Sequence, residues 1–163
     1  MAADVFLNLE GIPGDSTDSK HKNQIEVLSF SSGVSMPTGP RSFSGSAPNE
    51  RASLSDMSIT KVVDSSSPAL FKAVCTGQNI ASATLTVNRS DTKGGKIPYL
   101  VYKLKDVIMS SYQCSGSDGS GLPVESFSMN YAKISVEYQV TDVTGASKGA
   151  KVAGWDVALN KPA

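Results

Sequence analysis

The amino-acid sequence predicts a mainly β domain with one short α-helix and one long extended loop. Apolar residues alternate with polar ones over most of the chain, which is the period of strands that have one solvent-exposed face. A single segment, residues 66–77, carries helix boundary signals and apolar residues at helical spacing instead. Residues 35–52 follow neither period, and their Pro, Gly and Ser content indicates a long loop.

Length and composition indicate one folded domain with no strong overall charge. The chain has 163 residues, close to the usual size of one domain, so we expect a single domain spanning residues 1–163. Lys and Arg number 15, as do Asp and Glu, and the formal net charge is zero. Because no net positive field is present, neither nucleic acid nor an anionic membrane surface is expected as a partner.

The first residues do not resemble a cleaved leader. Residues 1–12 include Asp4 and Glu10, lack a basic start and alternate, so we expect no Sec signal peptide and synthesis in the cytoplasm. No stretch approaches the roughly 20 apolar residues of a membrane span, so membrane insertion is not expected. Cys75 and Cys114 are too few for a disulfide scaffold, and we expect both to be reduced and packed.

Residues 81–89 show the clearest strand pattern. The face that we expect to be buried holds Ala81, Ala83, Leu85 and Val87. The face that we expect to be solvent-exposed holds Ser82, Thr84, Thr86 and Asn88. Further strands are predicted at residues 5–9, 25–31, 54–62, 99–105, 107–112, 127–140 and 151–158.

Two features of the later strands need comment. Apolar residues occupy odd positions up to Tyr131 and even positions from Ile134 onward, so we expect a β-bulge near Ala132 and Lys133 that keeps one face buried. The only tryptophan, Trp155, lies on the last predicted strand, and we expect it in the core.

The helix is predicted from its two ends and its apolar stripe. Two serines precede Pro68, a residue that suits the first helical turn, and Gly77 stands where a left-handed C-terminal cap belongs. We expect the stripe to cover one side or mouth of the sheet. Its members are Leu70, Phe71, Val74 and Cys75.

No arrangement of residues predicts catalysis, a cofactor or a metal. The only histidine, His21, shares one polar loop with Ser16, so we interpret it as a hydrogen-bonded loop residue rather than a catalytic base. Glu125 and Glu137 stand in separate strands, and we interpret both as solvated positions. The chain is therefore predicted not to be an enzyme and to need no cofactor.

A family resemblance rests on motifs that follow one another in a fixed order. The opening VFLNLEGIPGDSTDSKHKNQIEVLSFS and the middle SITKVVDSSSPALFKAVCTGQNIASATLTVNR both resemble the haemolysin-coregulated (Hcp) tube proteins of type VI secretion systems. The later part resembles the same family through Glu125, Tyr131, Ala132, Lys133, Ile134, Gly154, Trp155, Asp156 and Asn160. The main departure is the proline-rich stretch at residues 35–52.

The resemblance implies a compact β-barrel of two packed sheets with the short α-helix at the side and the long loop extended. It further implies a structural subunit that forms six-membered rings, which stack into a hollow tube and are secreted through the type VI system. The implied partners are further copies of the chain, the type VI sheath and spike components, and small effector proteins in the lumen.

The long loop is expected to project along the ring axis and to dock on the next ring. It lacks an apolar period that would anchor it to its own core, and its prolines limit the freedom lost on docking. The residues predicted to make the stacking contacts are Met36, Pro37, Thr38, Pro40, Arg41 and Phe43.

Two other functions remain open from the sequence. A tube protein of a contractile phage tail would need the same ring geometry, and neighbouring genes would distinguish it. A monomeric β-barrel that binds a small ligand would require one closed cavity, and the mass in solution would distinguish it from a ring.

Overall fold

A computed structural model describes residues 3–37, 51–91, 93–119 and 121–163. Within these ranges the chain forms twelve strands and one helix. The strands are β1 (Asp4–Leu9), β2 (Ile25–Val27), β3 (Ser29–Ser31), β4 (Val34–Ser35), β5 (Ser53–Leu54), β6 (Met57–Val62), β7 (Asn79–Ser90), β8 (Lys96–Ser115), β9 (Val124–Asn130), β10 (Lys133–Thr141), β11 (Ser147–Asp156) and β12 (Lys161–Pro162). The helix is α1 (Ser67–Thr76).

Ten strands form one branched antiparallel sheet that curls around a single core. Its main path runs β12-β11-β10-β8-β7-β1-β2. A branch leaves this path at β8 and continues through β9 and β6 to β3. Because β2 and β3 are separated only by Leu28, the chain passes directly from the end of the main path to the end of the branch. The predicted mainly β, barrel-like fold with one helix at the side is confirmed.

Apolar side chains from every part of this curl fill the interior. The largest of those that are almost completely shielded from solvent are Leu7, Ile25, Met57, Ile59, Leu70, Ile80, Leu85, Leu104, Phe127 and Met129. They alternate with polar residues along β1, β2 and β6, as the sequence period predicts. None of the described helices is long and apolar enough to cross a membrane.

The two strands predicted at residues 99–105 and 107–112 are one strand, β8. Its core-facing side chains switch at Asp106 from even positions, such as Leu104, to odd positions, such as Val107. Asp106 has a φ of 52°, a left-handed conformation that Asp tolerates better than most residues. The opposite chain changes phase at the same level, because Lys133 pairs with Lys105 and Asn130 pairs with Ile108. Two residues lie between these two pairs on each side, so neither side has the extra residue that defines a β-bulge. The predicted phase change is therefore present, but the predicted bulge near Ala132 is not.

The helix begins and ends as predicted, but its buried stripe is narrower. The Pro68 ring lies in the first turn, and Gly77 has a φ of 63° and donates its N–H to the Val74 carbonyl. Leu70 faces the core, whereas Phe71 is 58% exposed and contacts Tyr112 edge to face.

The cysteines and the tryptophan differ from their predicted environments. Cys75 and Cys114 are free thiols, but both are exposed rather than packed. Trp155 is only partly buried and packs against the edge of the core.

The helix orientation makes a stability prediction. We expect Leu70→Ala to lower the free energy of unfolding by about 2–5 kcal/mol, because it leaves a cavity in the core. Phe71→Ala should cost only about 1 kcal/mol, since it removes mainly one edge-to-face ring contact. Urea unfolding curves of the two variants measure the difference, and equal losses would contradict this orientation of the helix.

Candidate functional site

The loop between β1 and β2 folds back over one face of the sheet and is pinned there by His21. The imidazole stacks on Phe6 with ring centroids 4.4 Å apart and an angle of 8° between the rings. The Asn88 side-chain amide donates to Nε2 at 2.9 Å, which leaves Nδ1 to donate to Gln24 Oε1 at 3.0 Å. Asn88, predicted to be solvent-exposed, is therefore buried beneath this loop. Thr86, predicted to be exposed as well, is also buried.

Ser16 belongs to the same loop and stabilises its turn. Its hydroxyl is buried and accepts the Asp18 N–H at 3.2 Å, while its own N–H donates to the Gln24 carbonyl. Both ring nitrogens of His21 are engaged with other residues, so the ring is not oriented as a base toward Ser16. The interpretation of His21 as a hydrogen-bonded loop residue is confirmed.

A buried charged cluster joins β6, β9 and the start of α1. Lys61 and Glu125 form an ion pair in which both side chains are completely shielded from solvent. Lys61 Nζ also donates to Asp64 Oδ1 at 2.7 Å, and the Ser67 hydroxyl donates to Glu125 Oε1 at 2.6 Å. The Tyr112 hydroxyl donates to the other Glu125 oxygen. The cluster therefore fixes the helix start against two strands.

The prediction of a solvated Glu125 is wrong, and the sequence held the signal that would have corrected it. Glu125 is in phase with Phe127 and Met129, which are buried on β9. Lys61 is in phase with Met57 and Ile59 on β6, and it pairs directly across the ladder with Glu125. Two opposite charges in the apolar phase of two strands indicate a buried pair rather than two solvated residues.

The environment of the cluster changes how its groups bind protons. Burial alone would raise the pKa of Glu125, but hydrogen bonds from Lys61, Ser67 and Tyr112 outweigh it and hold that pKa below its ordinary value of 4.5. Burial, followed by the bond to Glu125, raises the pKa of Tyr112. Because the pKa of Glu125 is lower in the folded state, its contribution to stability is present above about pH 4.5 and is lost as the pH falls through the folded value.

The base of the long loop is a short two-stranded ribbon made by β4 and β5. Val34 pairs with Leu54, and this ribbon is separate from the ten-stranded sheet. Of the predicted stacking residues, Met36 and Pro37 follow β4 and are exposed, with 55% of Met36 accessible. The others lie outside the described residues, namely Thr38, Pro40, Arg41 and Phe43.

An apolar groove of about 510 Å³ lies between this ribbon and the inner face of β10 and β11. Val34 and Met36 line it from the ribbon, and Val136 and Trp155 line it from the sheet. Trp155 therefore bounds a surface groove instead of filling the core. Among the described residues, no group of three or more His, Cys, Asp or Glu side chains is placed to hold a metal ion.

β11 is the last long strand at one end of the sheet, and its outer edge is almost free. β12 pairs with it only at Trp155 and Asp156. The carbonyl of Gly154 accepts the Ala163 N–H on the side away from β10, so the backbone groups of alternate residues, including Val152, also point outward. Val152 is 64% exposed. In the described part of the chain no other strand covers this edge beyond β12.

Comparison with known proteins shows a consistent group of relatives. A family model described as "Type VI secretion system effector, Hcp" matches residues 6–138. The protein named "Protein hcp1" from Pseudomonas aeruginosa is 32% identical over 161 residues, which cover 98% of each chain. A solved "Structure of a type six secretion system protein" superimposes with a TM-score of 0.91 at 32% identity, covering 99% of this chain and 100% of that one. The crystal structure of Hcp1 from Salmonella typhimurium gives 0.80 at 31% identity, with the same coverage.

The charged cluster makes the second stability prediction. We expect Lys61→Met to lower the free energy of unfolding by about 3–5 kcal/mol, because it leaves Glu125 buried without its partner. Adding Glu125→Gln should recover part of this loss, since the amide carries no charge. Lys103→Met is the control, because Lys103 forms an exposed pair with Glu137 at 3.3 Å that is worth at most about 1 kcal/mol.

Urea unfolding at pH 7 measures all three variants. Equal losses for Lys61→Met and Lys103→Met would contradict a structural role of the buried pair.

Proposed function

Because this chain belongs to the Hcp family of type VI secretion proteins, we propose that it is a structural subunit of the type VI inner tube. In this proposal six copies close into a ring, the rings stack into a hollow tube, and the tube is exported. The subunit is made in the bacterial cytoplasm and leaves through the type VI system. It contacts the sheath and spike components and carries small effector proteins in the lumen.

The free edge of β11 is the observation that carries the ring proposal. An edge strand presents unpaired N–H and C=O groups, and a sheet that stays soluble must cover, shorten or pair such an edge. β11 has ten residues, and β12 pairs with two of them. Pairing with the next copy satisfies the remaining groups, and repetition of one heterologous contact closes a ring when the rotation allows it.

The outer face of the main sheet suits the wall of a water-filled channel. One cross-strand row on this face consists of Asn8, Thr84, Lys103 and Ser135, which are directly paired from β1 to β10. All four side chains are polar, and none is buried. We propose that the β1 and β7 part of this row, Asn8 and Thr84, faces the lumen, where polar side chains remain hydrated and leave passing cargo proteins without an apolar surface to which they would adhere.

Stacking of rings is assigned to the long loop, in keeping with its predicted residues. The ribbon of β4 and β5, from which the loop leaves, does not pair with the ten-stranded sheet, and Met36 at the end of the ribbon is exposed. We propose that the loop contacts the next ring through Met36, Pro37, Thr38, Pro40, Arg41 and Phe43.

The ring proposal predicts the effect of a proline in β11. Val152→Pro removes an outward N–H that the subunit itself does not use, and proline is tolerated at such edge positions. We expect the variant to melt close to the wild type but to lose the ring. Val152→Thr keeps the N–H and should form rings as the wild type does. Native mass spectrometry distinguishes the 17.0 kDa subunit from a species of six times that mass. Rings of the proline variant, or a wild type that is monomeric at micromolar concentration, would contradict the proposal.

The stacking proposal predicts a separable defect. Replacing residues 37–48 with a short Gly and Ser linker should leave the melting temperature and the six-membered ring unchanged, because the loop docks outside its own subunit. Stacked tubes, seen by negative-stain electron microscopy, and secretion should both be lost. A linker variant that still stacks and is secreted normally would show that the loop has no docking role.

A further inference from the structure

Two clefts of opposite charge lie at the two ends of the main sheet. The lysine cleft, of about 610 Å³, lies on β8, β10 and the β11–β12 end. Its charged residues are Lys103, Lys105, Lys133, Lys161 and Asp156. The single carboxylate, Asp156, is 3% exposed and already paired with Lys133 at 3.5 Å. The cleft is therefore strongly positive.

The lysine cleft follows from the register of the sheet. Lys133 pairs across the ladder with Lys105 on one side and with Asp156 on the other. Asp156 pairs in turn with Lys161. Directly paired residues point to the same face, so three ammonium groups stand in one row around a buried carboxylate. Like charges placed opposite one another are unfavourable in an isolated subunit, and an anionic partner relieves this repulsion.

The acidic cleft, of about 530 Å³, lies at the other end of the sheet path, between β1, β2 and the turn that precedes α1. Its charged residues are Asp4, Asp15, Asp18, Glu26, Asp64 and Lys96. Asp4 is paired with Lys96, and Asp64 shares Lys61 with the buried Glu125. Hydrogen bonds from Ser65 lower the pKa of Asp15, so this exposed carboxylate stays ionised.

Charge remains unpaired in both clefts. In the part of the chain that the structure describes, Lys105 and Lys161 form no ion pair, and neither do Asp15, Asp18 and Glu26. The formal net charge of the whole chain is zero. Opposite charges are thus segregated to opposite ends of one sheet, which is the distribution expected for contact between unlike surfaces of identical subunits.

We propose that the lysine cleft of one copy docks on the acidic cleft of the next copy around the ring. This inference rests on the proposed ring and names the surfaces that close it. The lysine cleft adjoins the free edge of β11, so one contact buries the unpaired backbone groups and neutralises the unpaired charges together. A two-fold contact through either cleft would place like charges against each other, so the charges also select head-to-tail closure.

The test uses two reversed variants that cannot close rings alone but can close them together. The lysine-reversed variant is Lys105→Glu with Lys161→Glu, and both of its clefts are negative. The acid-reversed variant is Asp15→Lys with Glu26→Lys. It leaves Asp18 as the one unpaired acidic residue of that cleft beside two new lysines, so the unpaired charge of both clefts is positive. The control is Lys72→Glu with Lys93→Glu, which changes the net charge as much as the lysine-reversed variant does but lies outside both clefts.

We expect each reversed variant to give only the 17.0 kDa subunit in native mass spectrometry, with a melting temperature within a few degrees of the wild type. Mixing the two should restore a ring of three copies of each, because the altered clefts complement one another and so do the unaltered clefts. The control should form rings by itself. High salt should weaken the wild-type ring, because exposed charges are screened.

Rings formed by either reversed variant alone, or a mixture that stays monomeric, would overturn the pairing of the clefts while leaving the ring itself intact. A monomeric wild type would instead contradict the proposed function. Should a reversed variant fail to fold, the neutral pairs Lys105→Gln with Lys161→Gln and Asp15→Asn with Glu26→Gln replace it. We expect the rings of these neutral variants to dissociate at a protein concentration at least tenfold higher than the wild-type rings do. Dissociation at the same concentration as the wild type would overturn the proposal.

Discussion

The buried ion pair between Lys61 and Glu125 is the interaction on which the arrangement of the subunit depends. It lies where β6 and β9 pair and where α1 begins, so it connects the branch of the sheet to the helix that covers it. Two charges out of water are costly unless each keeps its partners, and here Ser67, Tyr112 and Asp64 supply them. Any other packing of these elements would leave a charge buried without a partner. The pair thus favours one packing and one helix position.

Much of the fold could be predicted from the sequence because it depends on local pattern. The alternation along β1 and β7 and the Pro68 and Gly77 boundaries of the helix each act within a few residues. The errors arose where distant parts of the chain decide. Asn88 is buried because the loop that holds His21 folds over it, and no pattern within β7 encodes that loop.

The proposed contact surfaces were harder to predict than the fold, for a related physical reason. The stacking residues of the loop were predicted from composition and stay a prediction. The free edge of β11 depends on the order of the strands in the sheet, which only the topology shows. The lysine cleft likewise gathers residues from β8, β10 and β12 through their register. Lysines spaced far apart in the chain carry no signal of their proximity. Glu125 differs, because its apolar phase was visible in the sequence.

The length of β8 has a mechanical consequence. Its 20 residues would extend about 66 Å if straight, well beyond the roughly 40 Å diameter of a domain of this size. The strand therefore bends at Asp106. It pairs with β10 only before the bend and with β9 only after it, whereas β7 pairs with it on both sides. One covalent backbone thus runs through both halves of the subunit. A load applied to one half passes to the other along peptide bonds, and neither half can be pulled open without stretching a strand that the other half holds.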